Sequence, residues 1–226
     1  MAGASFMERQ PTMSQEGFRE AFPVSRETLG RLCRYGALLE KWQKKINLVG
    51  TGTICDLWRR HMLDSAQLMA PILALKKGNP VILDLGSGAG FPGMVLAILD
   101  AGEVHLVESN RRKCAFLREV ARETETALTI HESRIEDLAP SMIPEPADII
   151  TARALAHLDR ILDHAEPFLK DETVCLFLKG RRARGELTKA EKKWTMRAEN
   201  INSLSSPSAT ILRLDHLARR PSGNKQ

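Results

Sequence analysis

The stretch Val81-Ile-Leu-Asp-Leu-Gly-Ser-Gly-Ala-Gly-Phe-Pro-Gly93 decides the fold. Val81, Ile82, Leu83 and Leu85 form a short apolar run, the pattern of a strand buried on both faces. Asp84 interrupts it near its C-terminal end, where such a strand meets a cleft. Gly86, Gly88, Gly90 and Gly93 follow. Pro92 suits the first turn of a helix, and Met94 to Leu99 supplies that helix. Strand, glycine turn and helix open a nucleotide-binding α/β unit. A turn without side chains lets a ligand approach the backbone.

The turn alone does not name the ligand. Gly88-Ala-Gly-Phe-Pro-Gly93 has the dinucleotide G-x-G-x-x-G spacing, and Glu108 lies 20 residues after Gly88, closing a second apolar run from Val104 to Val107. A carboxylate there can accept hydrogen bonds from both hydroxyls of an adenosine ribose. NAD and S-adenosylmethionine both carry that ribose. No Lys-Ser or Lys-Thr follows the glycines, so a P-loop is excluded. A tight turn without a ligand is the plain alternative, and Asp84 and Glu108 argue against it.

A chain of 226 residues, 43% hydrophobic, can bury one large core with a small extension. No apolar run reaches membrane-spanning length. Met1 to Phe18 lacks the hydrophobic core of a signal peptide, which predicts a cytoplasmic protein. The expected layout is a flexible leader (1–24), an N-terminal helical cap (25–78), a core (79–216) and a basic disordered tail (217–226). Cys33, Cys55, Cys114 and Cys175 are far apart with no C-x-x-C, which reads as reduced thiols. The net charge is +5, with a pI near 9.2. Basic clusters stand at Lys41, Lys44 and Lys45; at Arg59 and Arg60; at Arg111, Arg112 and Lys113; at Arg181, Arg182 and Arg184; and at Arg219 and Arg220. Such clusters suit a polyanion, although solvated helix faces look similar.

Helical spacing from Leu29 to Ile46 predicts a helix over about 26–45, with Ser25 as its N-cap and Trp42 as a core anchor. A loop from Asn47 to Gly52 precedes a second helical stretch over about 54–75. Beyond the glycine turn the pattern predicts strands at 104–108, 128–130, 147–151 and 174–179. Helices are expected at 111–123, 155–169 and 186–194, with a loop or short helix at 134–138. Two antiparallel edge strands, 200–204 and 210–214, would flank the turn Ser205-Ser-Pro-Ser208. Seven strands ending in an antiparallel pair differ from the dinucleotide fold, which continues with a sixth parallel strand. This favours a methyltransferase.

Ligands of open α/β sheets lie outside the carboxyl ends of the strands. This chain places Asp84 and the glycines, Glu108, Ile135 and Glu136, Arg153, and Lys179 with Gly180 there. His61 and Asp64, three apart, share one helical face. With no third and fourth ligand evident, they suit a helix-surface pair or a loop-anchoring contact rather than a metal.

Asn47-Leu48, Arg60-His-Met-Leu-Asp-Ser65, Asp84 to Gly93, Arg153-Ala154 and Lys179-Gly180 together resemble the RsmG (GidB) family, in the same order, from about Trp42 to Leu214. The resemblance implies a class I S-adenosylmethionine-dependent methyltransferase fold, α/β and Rossmann-like, with a seven-stranded, mostly parallel sheet and an N-terminal helical extension. It implies methyl transfer to N7 of a guanine, guanine-527 in the 530 loop of bacterial 16S rRNA, on the RNA or the 30S subunit. It assigns cofactor contacts to Gly86, Phe91, Ile135, Glu136 and Arg153; Asp84, Gly88, Gly90 and Glu108 join them from the motif. Arg153, Asn47 (as a lid) and Lys179 are the candidate catalytic groups. Arg60, His61, Arg181, Arg182 and Arg184 are the candidate RNA contacts. No metal, no membrane and a monomer are expected. Val49-Gly50 departs from the family form, in which Thr often follows Asn-Leu. The alternatives are a small-molecule methyltransferase, a nicotinamide-dependent oxidoreductase and a non-enzymatic RNA-binding protein. Guanine N7 has a free lone pair, so its methylation needs no general base. No Asp-Pro-Pro-aromatic loop follows the fourth strand, where Thr151-Ala-Arg-Ala-Leu155 stands.

Overall fold

The computed structural model describes residues 11–143 and 145–221. Two helices open it, α1 (Gln15–Ala21) and α2 (Arg26–Gln43). Ser25 caps α2 by accepting from the Thr28 amide. The predicted helix over 54–75 is instead broken into a 3-10 turn at Thr51–Asp56, a π-helical turn at Trp58–Leu63, and two short helices, α3 (Asp64–Ala66) and α4 (Met69–Leu73). Its apolar spacing reported a buried face and could not report which hydrogen-bond period would satisfy it.

The α/β core follows: β1 (Val81–Leu85), α5 (Gly93–Ile98), β2 (Glu103–Glu108), α6 (Arg111–Glu123), β3 (Thr129–Glu132), β4 (Ile149–Arg153), α7 (Leu158–Ala165), β5 (Val174–Lys179), α8 (Ala183–Ala190), β6 (Trp194–Asn202) and β7 (Thr210–Arg219). The seven strands lie in the order β3-β2-β1-β4-β5-β7-β6. The first five are parallel, and β7 enters antiparallel between β5 and β6. This is the seven-stranded, mostly parallel sheet expected. Strand order reverses between β1 and β4, which places the ligand crevice at their carboxyl ends.

Alternate residues of each strand feed two apolar layers. Ile82, Leu106, Ile149 and Leu176 face α2, α5 and α6; Leu83, Val107, Ile150 and Phe177 face α7 and α8. The first layer also includes Phe18, Leu32, Tyr35 and Leu39, so the N-terminal helices share one core with the sheet.

Several boundaries differ from the sequence expectation. Residues 15–21, assigned to the leader, form α1, with Phe18 fully buried. Met1–Gln10 lie outside the described residues. Trp194, expected in a helix, opens β6, where its buried ring is covered by the Arg219 guanidinium 4.8 Å away. β7 runs to Arg219, so residues 217–219 are strand rather than tail. Arg219 pairs there with Asp163 and Glu166. Ser222–Gln226 lie outside the described residues. β3 and β4 sit one or two residues later than expected, which makes Arg153 the last residue of its strand.

Candidate active site

The glycine turn is built by backbone that only glycine adopts readily. Gly88 has φ +60 and Gly90 φ +96. The turn is tied to β2 by the Ser87 amide, which donates to the Val107 carbonyl at 2.9 Å. Asp84 anchors it from below. Its Oδ1 accepts from the Thr151 hydroxyl at 2.8 Å and its Oδ2 from the Gly93 amide at 3.3 Å. Asp84 shares the strand face of Ile82, so it points under α5 and not into the crevice. It is fully buried, and burial pushes its carboxyl up to about 6. This corrects its assignment as a cofactor contact: Asp84 holds the shape of the turn. Gly90 is corrected likewise. A side chain there would meet Met94, Tyr35 and Leu117 in the core rather than a ligand.

The crevice itself has a volume of about 1010 Å³. Gly86, Gly88, Phe91 and Glu108 line it on the β1–β2 side, and Ile135 and Glu136 beyond β3. Glu108 Oε2 accepts from the Gly88 amide at 2.9 Å and Oε1 from the Asn110 amide at 2.7 Å. Each oxygen keeps a further lone pair, so the aimed carboxylate can still take two hydroxyl donors. That donor set fits a ribose. At Gly88 the nearest atom to an added methyl is the Gly86 carbonyl oxygen, 3.8 Å away, which leaves room beside it, whereas at Gly86 the Leu155 side chain stands where a side chain would go.

Arg153 enters from β4. Its Nη1 donates to the Arg60 carbonyl at 3.0 Å and faces Asp64 Oδ2 at 3.4 Å. Its Nη2 donates to His61 Nδ1 at 2.7 Å, and the guanidinium lies 4.9 Å over the Phe91 ring. Phe91 in turn stacks on Tyr35 at 5.1 Å. Burial lowers the Arg153 pKa from its ordinary value, opposed by Asp64.

The expected pairing of His61 and Asp64 is realised as an anchor. His61 Nε2 meets the Thr53 hydroxyl at 2.9 Å, and Asp64 Oδ1 accepts from the Ser205 hydroxyl at 2.5 Å. The segments of Thr53 and Ser205, both of which line the crevice, are thereby fastened to one helical turn. His61 is buried, with both ring nitrogens engaged. Burial, Arg153 and Arg60 hold its pKa down at about 3. With the ring buried and both nitrogens taken by Arg153 and Thr53, His61 has no free polar atom to offer an RNA, and its expected role as an RNA contact is revised to an anchor.

Lys179 Nζ is held by the Ala156 carbonyl and by Glu186 Oε2, each at 2.9 Å. A cation so paired does not act as a free catalytic group, and the expectation is revised to a wall element. Asn47 is exposed and stands outside the crevice lining, so the lid assigned to it is not built from its side chain. Gln43 instead clasps that loop, accepting from the Leu48 and Val49 amides and donating to the Val49 carbonyl. Arg60, Arg181, Arg182 and Arg184 are exposed; Arg60 reaches the crevice rim, and the other three follow Gly180, which also lines it.

Tyr35, Thr53, Glu186 and Ser205 belong to the site and were not singled out from the sequence. Tyr35 is buried under Phe91 and donates to the Ala89 carbonyl, bracing the turn from the opposite side. Its only signal was position on the apolar face of α2.

Known proteins with this sheet include magnesium protoporphyrin IX methyltransferase from Synechocystis PCC 6803 with bound SAM. It has a TM-score of 0.57, 12% identity, and coverage of 88% of this chain and 99% of that one. M. jannaschii TYW2 in complex with AdoMet matches with a TM-score of 0.52 and 19% identity, over 79% and 80% of the two chains. These likenesses establish the fold. Sequence relatives go further. The ribosomal RNA small subunit methyltransferase G of Paramagnetospirillum magneticum is 56% identical over 87% of this chain and 92% of its own length. That of Rhodospirillum rubrum is 52% identical over 92% and 100%. The family described as rRNA small subunit methyltransferase G matches residues 28–212, and the chain belongs to that family.

Proposed function

We propose that this protein transfers the methyl group of S-adenosylmethionine to N7 of a guanine, guanine-527 of the 530 loop, in 16S rRNA. The observation that supports this most directly is the Glu108 carboxylate turned into the crevice beside Gly88, in a chain of this family. The cofactor, when bound, supplies an electrophilic methyl on a sulfonium. Glu108 would hold its ribose hydroxyls. Gly86 and Gly88 would admit its amino-acid end to the backbone, and Ile135 and Glu136 would flank its adenine.

The residues around the crevice suit catalysis by positioning. Guanine N7 presents a lone pair and no proton, so an in-line attack needs no base. Of the titratable groups that line the crevice, His61 is held neutral by burial and Lys179 is paired with Glu186, so neither is placed as a free base. Orientation in a site sheltered from water can supply much of such a rate. Arg60, Arg181, Arg182 and Arg184 would receive phosphates at the rim. The protein would act in the cytoplasm as a monomer without a metal; no described helix is long and apolar enough to cross a membrane.

Mapping N7-methylguanosine in 16S rRNA, with and without the gene, tests the reading. The modification should disappear from the 530 loop on deletion and return on complementation. Unchanged methylation there would refute it.

A further inference from the structure

The hydrogen bonds around Arg153 have a direction that the chemistry dictates. A guanidinium only donates, so His61 Nδ1 must accept from Nη2. The proton of the neutral ring then sits on Nε2 and is donated to the Thr53 hydroxyl. The Thr53 hydroxyl in turn donates to the Gly50 carbonyl at 2.7 Å. One unbranched chain therefore runs from Arg153 through His61 and Thr53 to Gly50. It ends in the loop whose Leu48, Val49, Gly50 and Thr53 line the crevice.

Among the described residues, the protein's own partners occupy three of the five Arg153 donors, at Arg60, Asp64 and His61. The Nε–H and one Nη2–H remain. Two neighbouring donors on a guanidinium stacked over a ring form a grip for a carboxylate. Which way that grip faces depends on what holds the other three.

We propose that His61 and Thr53 are positioning residues: they fix the rotation of the Arg153 guanidinium so that its two remaining donors meet the cofactor's carboxylate. They also tie the loop at 48–53 to that event. This rests on the cofactor reading above. His61 acts as the rigid middle of the chain, an acceptor towards the arginine and a donor towards the loop. A protonated ring would set N–H against N–H at Arg153 and break it.

Calorimetric titration with two probes tests this. S-adenosylhomocysteine carries the amino-acid carboxylate, and methylthioadenosine carries only the nucleoside part. In His61→Leu, affinity for S-adenosylhomocysteine should fall by about tenfold or more, the size of a lost charge-assisted bond. Affinity for methylthioadenosine should stay within about twofold and so report an intact nucleoside pocket. His61→Asn, which keeps an acceptor near the Nδ1 position, should recover most of the loss. Thr53→Val, which frees the loop but leaves His61 facing Arg153, should lose about threefold, again on the carboxylate-bearing probe alone. The proposal is overturned if His61→Leu weakens both probes alike or neither, or if Asn rescues nothing. If the wild type binds neither probe, the cofactor reading itself falls and this proposal with it.

Discussion

Gly90→Ala separates a glycine that faces a ligand from one that faces the core. At φ +96 an alanine is strained whatever space it has, by about 1–2 kcal/mol. Space is also lacking. The new methyl would stand 2.8 Å from Met94 Cβ, 2.8 Å from Tyr35 Oη and 2.9 Å from Leu117 Cδ2. Overpacking of that kind costs about 1–3 kcal/mol. Pushing Tyr35 aside also strains its bond to the Ala89 carbonyl. The total is about 3 kcal/mol, which for a chain of this size lowers Tm by roughly 6–12 °C. Gly88→Ala is the control. Its φ is +60, but the nearest atom to the added methyl is the Gly86 carbonyl oxygen, 3.8 Å away. Only the backbone cost of about 1 kcal/mol applies, a fall of roughly 2–4 °C. Scanning calorimetry of the two variants without ligand decides. If Gly90→Ala melts with Gly88→Ala or above it, while losing S-adenosylhomocysteine binding, Gly90 faces the ligand and the packing argument is wrong.

Two further outcomes follow from the site. Asp84 has a folded pKa of about 6 against an ordinary 3.8, so the folded state binds its proton more tightly than the unfolded state. Stability from this group is present at low pH and is lost as pH rises through about 6. Relative to the wild type, Asp84→Asn should therefore gain about 2 kcal/mol between pH 4 and pH 7, read from urea midpoints at each pH; a pH-independent difference would contradict it. Asn47→Ala should bind S-adenosylhomocysteine within about twofold of wild type by titration, whereas a tenfold loss would return Asn47 to a lid.

What could be read from the sequence was whatever a period or a local motif encodes. The β1 run, the helix over 111–123 and the apolar β5 all announce themselves within a dozen residues. The edge strand β6 showed only at its end, over 200–202, because Thr195 to Asn202 is almost wholly solvated and lacks alternation, leaving buried Trp194 to look helical. Glu108 and Arg153 were legible as crevice-lining residues because they stand at strand ends. Asp84 and Gly90 were misplaced for a different reason. A motif names the residues of a turn but not which of them point down into the packing. Tyr35 and Ala89 are 54 positions apart, and Gln67 reaches Leu204 across 137. Contacts of that span leave no trace in local pattern.

The small helix α1 matters for anyone cutting the chain. Phe18 wedges against Trp58 at 5.4 Å, and the Met13 amide donates to Asp56 at 2.8 Å. Both partners belong to the turns that lead into His61 and Arg60. A shortened version starting near residue 25 would thus unbuckle the strap behind the crevice wall. The casualty would be the grip on Arg153, some distance from the cut.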